Sequence, residues 1–227
     1  MTARIVALAN LKGGVGKSTL AINLAGAIAD AVLIDADPQG TATAWGAAGR
    51  LPFEVIASPL GGQDVSQWIA AINALPGQYA IIDLPPVLGD ATAAALAFAD
   101  LAVCPVSASG ADLKATNRAV DLIRHARALR GDLRPLALMV PSRIDRRTAA
   151  GAEIEAALHD YGEPVGPIVS SRIAFADAFT AGQWIGQYAP GSAGHHEIRA
   201  LAAVIEKLID KREQLDDDHH RPTITAI

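Results

Sequence analysis

Cysteine is almost missing from this chain of 227 residues. Its one thiol, Cys104, closes no internal disulfide and excludes multi-cysteine zinc or iron–sulfur centres built within one chain. Long apolar runs are missing too: no uncharged stretch reaches the roughly 18–20 residues that span a bilayer, and no signal-peptide pattern opens the sequence. The chain therefore reads as cytosolic. Aromatic side chains amount to only 4%, while Ala, Val, Ile and Leu abound, a mixture that suits buried parallel strands under helices. Charged residues stop at 19% against 51% hydrophobic, which excludes wholesale disorder. An excess of basic charge is absent as well: the net charge is −5, arguing against bulk attraction to nucleic acid. The length allows one α/β domain and not two full ones.

Short apolar runs bounded by turn residues predict strands at Ile5–Ala9, Ala31–Ile34, Phe53–Ala57, Tyr79–Ile82, Leu101–Val106, Leu136–Val140 and Val165–Val169. Helices are predicted over 17–30, 64–75, 90–99, 112–130, 147–161, 173–181 and 195–215. This alternation implies an α/β fold, a mostly parallel sheet with helices on both faces. Nothing divides residues 1–215, read as one domain; 216–227, polar and broken by Pro222, reads as a flexible tail. With about four residues before the first strand, no appended DNA-reading domain is expected there.

The sharpest local feature is Asn10-Leu11-Lys12-Gly13-Gly14-Val15-Gly16-Lys17-Ser18-Thr19, placed between a strand and a helix. Glycines 13, 14 and 16 permit a tight turn whose N–H groups converge on an anion, and the helix that follows adds the positive end of its dipole. In such a loop Lys17 reaches the β- and γ-phosphates, Ser18 ligates Mg²⁺, and Thr19 lies on the α-phosphate side. The common G-x-x-x-x-G-K-[ST] pattern wants glycine where this chain has Leu11, and Lys12 is an additional cation. Two more strands end in carboxylates. Asp35-Ala36-Asp37-Pro38-Gln39 follows the second, and Asp83-Leu84-Pro85-Pro86 the fourth, at the sheet edge where open α/β folds bind ligands. Asp83 then holds a Mg²⁺-bound water.

The run Lys12 to Ser18 resembles the deviant Walker A loop of the ParA/MinD ATPase superfamily, a branch of the P-loop NTPases. Asp35 to Gln39 resembles its switch I, and Asp83 to Pro86 its switch II, with Gly89 as a hinge. The resemblance implies that ATP and Mg²⁺ bind at Lys12, Gly13, Gly14, Val15, Gly16, Lys17, Ser18 and Thr19. It also implies that Lys12 crosses to the partner's phosphates in an ATP-sandwich homodimer, that Asp37 orients or activates the attacking water, and that Asp35 supports the Mg²⁺ shell with Ser18 and Asp83. Arg143 falls where the family contacts adenine. No Gln or His is placed as a strong base, so slow hydrolysis is expected.

Residues 114–147 carry nine basic side chains against three acidic, an island in an acidic chain. Arg124, Arg127 and Arg130 recur at helical spacing; Lys114, Arg118 and Arg134 flank them, and Arg143, Arg146, Arg147 and Arg172 follow. Such charges commonly form a solvated face. Partition-type relatives instead bind DNA non-specifically as ATP dimers, which implies nucleoid association, release by adaptor-stimulated hydrolysis, and positioning of a plasmid, chromosome or protein assembly such as a carboxysome or chemoreceptor cluster. Arg172 leads the candidate DNA contacts, then Arg143, Arg146 and Arg147. Two alternatives remain: a MinD-like membrane ATPase and a metabolic ATP-dependent ligase of the same fold. The mixed charge of 197–215 argues against membrane attachment through its apolar stripe.

Overall fold

A computed structural model describes residues 3–220, except for the side chains of 110–114 and 216–220. In chain order the elements are β1 (Arg4–Leu8), α1 (Lys17–Ala27), β2 (Ala31–Asp35), α2 (Thr41–Gly46), β3 (Val55–Ala57), α3 (Val65–Asn73), β4 (Tyr79–Asp83) and α4 (Asp90–Phe98). They continue with β5 (Leu101–Val106), α5 (Gly110–Arg130), β6 (Leu136–Ile144), α6 (Ala149–His159), β7 (Val169–Ser170), α7 (Ile173–Ala181), α8 (Ile185–Tyr188) and α9 (Ala193–His220). The strands form one seven-stranded sheet among the described residues, ordered β3-β2-β4-β1-β5-β6-β7, and every pairing is parallel.

Successive residues of each strand point to opposite faces, and both faces are covered. Val6 and Leu8 of β1, Leu33 of β2 and Ile81 of β4 pack toward α1 and α9. Their neighbours Ile5, Ala7, Ile34 and Ile82 pack toward α3, α4 and α5. This two-sided burial explains why the strands are apolar throughout instead of alternating. Cys104 sits fully buried in a third cluster under α6, its thiol pushed up to about 12 by burial, a packing residue. The α9 stripe, Ile198, Leu201, Ile205 and Ile209, is buried against the sheet. Each such side chain contributes about 1.5–3 kcal/mol through burial, so this face belongs to the core and is not presented to a bilayer.

The elements depart from the sequence expectation at several places, β6 among them, which runs on to Ile144. The seventh strand shortens to Val169–Ser170, with Val165 reaching β6 only through an isolated bridge to Met139. Pro164 and Pro167 lack the N–H that a continuous ladder needs. Two short helices, α2 and α8, stand where none is predicted. The corner before β2 closes without glycine because Asp30 adopts φ 54° itself, its carbonyl accepting from the N–H groups of Gln78 and Tyr79 at 2.9 and 3.2 Å. Aspartate tolerates this left-handed conformation better than most residues. Helix α9 carries the backbone past the expected boundary at residue 215 as far as His220; the rest of the expected tail, 221–227, lies outside the described residues, as does the side chain of Lys114.

Candidate functional site

The carboxyl ends of β1, β2 and β4 bring the three sequence motifs to one edge of the sheet. Register pairs Asp83 with both Leu8 and Asp35, so the two carboxylates and the loop after β1 share a crevice. Gly14 and Gly16 take φ of 80° and 95°, and Gly16 opens α1 in a left-handed conformation with no side-chain cap. The first N–H groups of α1 thus lack helical acceptors and face the loop's concave side, together with the positive end of the dipole. Lys17 lies buried among them and donates to the Lys12 carbonyl at 3.2 Å. Burial lowers its pKa, while Asp83 and Asp37 oppose the fall.

Asn10 braces the loop from behind. Its side-chain amide donates to the Pro105 carbonyl at 2.8 Å and Thr116 Oγ1 at 3.3 Å, and its Oδ1 accepts from the Lys12 N–H at 3.1 Å. In the sequence, the signal for this role is an amide between a strand and the lysine of a glycine loop. Asn23 acts similarly on α1, donating to Thr19 O and accepting from the Ile185 N–H, both at 2.7 Å.

The three aspartates differ. Asp83 is fully buried, and its two oxygens meet no donor with full hydrogen-bond geometry, the Ser18 hydroxyl standing nearby. Burial raises its pKa from 3.8 to about 7; Ser18 and Lys17 pull it down in part, while Asp35 and Asp37 push it further up. A buried carboxylate without a donor is costly unless a cation meets it. Asp83 beside Ser18 therefore fits a hard, oxygen-seeking ion such as Mg²⁺. Asp35, expected in the same shell, is held by its neighbours: Oδ2 accepts from the N–H and hydroxyl of Thr43 at 2.7 and 2.8 Å, and Oδ1 from the Asp37 N–H at 3.3 Å. It ties α2 to the tip of β2. Asp37 is half-buried, with Oδ1 accepting from the Gln39 N–H at 3.0 Å. Gly89 is fully extended at φ −161°, a conformation open to any residue.

A cavity of about 410 Å³ opens beside the loop, walled by Gly16, Thr19, Trp45, Arg143, Arg172 and Phe175 among others. Arg143, in a left-handed conformation at φ 57°, lays its guanidinium over the glycines and donates to the Gly14 carbonyl at 2.6 Å. Trp45 and Phe179 meet edge to face with ring centres 5.1 Å apart, and the indole N–H donates to the Gln183 carbonyl at 3.0 Å. Arg172 pairs with Glu197 and turns toward this cavity.

The basic island is largely spent on ion pairs within the fold. Arg127 forms a two-pronged contact with the nearly buried Glu163 at 3.0 and 3.2 Å, and Arg124 donates to the Tyr161 carbonyl. Arg130 grips Asp132 and the Ala99 carbonyl, Arg134 reaches Asp100 at 2.8 Å, and Arg147 forks onto Asp145. Arg118 and Arg146 are exposed. Helical spacing correctly put Arg124, Arg127 and Arg130 on one side of α5, but that side is stitched to neighbouring loops. Among the described residues no helix is long and apolar enough to cross a membrane.

Similarity to known proteins follows the same outline. The chromosome-partitioning ATPase Soj of Thermus thermophilus is 33% identical over 235 aligned residues, covering 88% of this chain and 94% of its own. The maintenance of carboxysome distribution protein A of Gloeobacter kilaueensis is 36% identical over 115 residues, 48% of this chain and 52% of that protein. Apo McdA from Cyanothece superposes with a TM-score of 0.74 at 18% identity, covering 89% of this chain and 98% of that one. The cell division ATPase MinD of Pyrococcus furiosus gives 0.69 at 21%, covering 91% and 99%. The model of the CobQ/CobB/MinD/ParA nucleotide binding domain matches residues 6–185, and the chain belongs to that family.

Proposed function

We propose that the protein is a ParA-like ATPase that dimerises around ATP, binds DNA non-specifically in that state, and positions a cargo. The carrying observation is the fully buried carboxylate of Asp83, with Ser18 and Lys17 beside it and no well-formed hydrogen bond to satisfy it. Triphosphate oxygens would lie among the N–H groups of Gly13 to Thr19, with Lys17 leaving the Lys12 carbonyl for the β- and γ-phosphates. Thr19 leads toward the adjacent cavity, whose volume suits a nucleoside. Ser18 and Asp83 would hold Mg²⁺, Asp83 through a water; when bound, the ion draws charge from the phosphate oxygens. Asp35 acts at one remove, fixing switch I through Thr43 and the Asp37 N–H.

Asp37 orients the water that attacks the γ-phosphorus, and ADP, phosphate and a proton leave. Positioning and charge neutralisation supply most of the effect in such reactions, and no strong base is needed for slow turnover. Lys12 of one protomer reaches its partner's phosphates, so the pair forms when triphosphate lies between the two loops. Arg146 and Arg147 are exposed at the start of α6 and suit phosphate-backbone contact as a doubled patch. A cargo adaptor that speeds hydrolysis would release the dimer from the nucleoid. Soj and McdA, by their names, support partition and carboxysome distribution as the cargo class.

Calorimetry with ATP at millimolar magnesium tests the base of this reading; no heat overturns it. Lys12→Ala is expected to retain ATP binding while losing ATP-dependent dimers in light scattering, and undiminished dimers would remove its role across the interface.

A further inference from the structure

The cavity wall contributed by the end of β7 and the start of α7 does not hold itself. Glu197, on the first turns of α9, reaches back to it with both carboxylate oxygens. Oε2 accepts from the Ser170 N–H at 3.0 Å and Arg172 Nε at 3.2 Å; Oε1 accepts from Ser170 Oγ at 2.8 Å and Arg172 Nη2 at 2.7 Å. Four donors on one carboxylate, itself mostly buried, make a rigid clamp. Burial alone would raise its pKa, but Arg172 and Ser170 outweigh burial and hold it below the usual glutamate range. Ser170 and Arg172 both line the cavity, with Phe175 one turn further on. The aliphatic stem of Arg172 and the Phe175 ring also pack closely against Gly194, where an added Cβ would stand 3.4 Å from each.

We infer that Glu197 is a positioning residue for nucleoside binding, fixing Ser170 and Arg172, and with them the β7–α7 wall, in the arrangement that receives the nucleoside. This rests on the nucleotide reading above. It also changes the assignment of Arg172: neutralised by Glu197 and directed to the cavity, it serves the nucleotide and not DNA. The clamp makes the C-terminal helix part of the site.

The inference separates the two ends of the ligand. Glu197→Gln keeps the size of the side chain and loses the charge that holds Arg172. Calorimetry with ATP and with inorganic tripolyphosphate, each with magnesium, reads the two ends apart. The expected result is a Kd for ATP raised about tenfold, the scale of one lost charge-assisted contact, with tripolyphosphate binding unchanged within about twofold. Steady-state turnover shows the same rise in KM, with kcat nearly constant. Ser170→Ala, which keeps the ion pair and tests the clamp with little risk to folding, weakens ATP alone by about threefold. Unchanged ATP affinity in both variants, or equal losses for both ligands, overturns the inference. So does tighter DNA retention in Glu197→Gln with ATP affinity intact, which would return Arg172 to the DNA side. A wild-type protein that binds neither ligand defeats the nucleotide reading itself, and the inference falls with it.

Discussion

Asp83 links the site to the stability of the whole fold. Its carboxyl titrates at about 7 in the folded protein against 3.8 for an ordinary aspartate, chiefly because of burial. A raised carboxyl pKa means that the native state binds the proton more tightly than the unfolded chain does. Stability is thus greatest below pH 4 as far as this group is concerned, and is lost as pH rises toward and through 7. The full effect is about 4 kcal/mol, of which about 3 kcal/mol falls between pH 5 and pH 8. Lys17 works in the opposite direction, its pKa lowered by burial and so favouring the fold at higher pH. Asp83→Asn removes the titrating proton while keeping the shape. Urea denaturation of the wild type and this variant, without nucleotide or divalent ion, at several values between pH 5 and 8 supplies the comparison. The wild type is expected to lose stability relative to Asp83→Asn across that range, the variant being the more stable at pH 8. Parallel profiles would refute the reasoning, since they would mean that the carboxylate is solvated or paired in the folded state.

Gly16→Ala forces a Cβ to within 2.9 Å of Ser142 Oγ at a φ of 95°; the expected cost is about 1–3 kcal/mol in thermal or urea unfolding, with loss of nucleotide binding by calorimetry. Thr43→Val removes the hydroxyl from Asp35 but keeps the backbone contact, so a loss of about 1.5–3 kcal/mol in urea denaturation is expected. Full stability in that variant would show that Asp35 finds another donor. Asp37→Ala is expected to bind ATP normally and stall phosphate release in a coupled assay; wild-type turnover would remove Asp37 from the chemistry.

What the sequence made legible was local. A glycine loop, its lysines and a strand ending in aspartate are written in consecutive residues, and the structure brings Lys12–Thr19, Asp37 and Asp83 to one edge. Contacts between distant residues were not legible. The bond from Thr43 to Asp35 is one of them, since Thr43 lies in a helix too short to declare itself by periodicity. Arg127 and Arg172 read as surface cations because Glu163 and Glu197 stand 36 and 25 residues away. Charge patterning locates basic side chains; only the fold tells which acids answer them. The broken seventh strand was readable in principle, since Pro164 and Pro167 were in view, but its apolar residues outweighed them.

The mooring of Asp35 to Thr43 has a mechanical consequence. Helix α2 is a rod of six residues. One end is tethered to the tip of β2, and Trp45, two residues past the tether, stands in the wall of the cavity beside the phosphate loop. Whatever presses on that indole is passed through Thr43 to Asp35 at the strand tip, two residues before Asp37. With a nucleotide bound as proposed, its base end and its hydrolytic end would share one lever, and the fluorescence of Trp45, read with Trp68 and Trp184 replaced by Phe, is a gauge mounted on it.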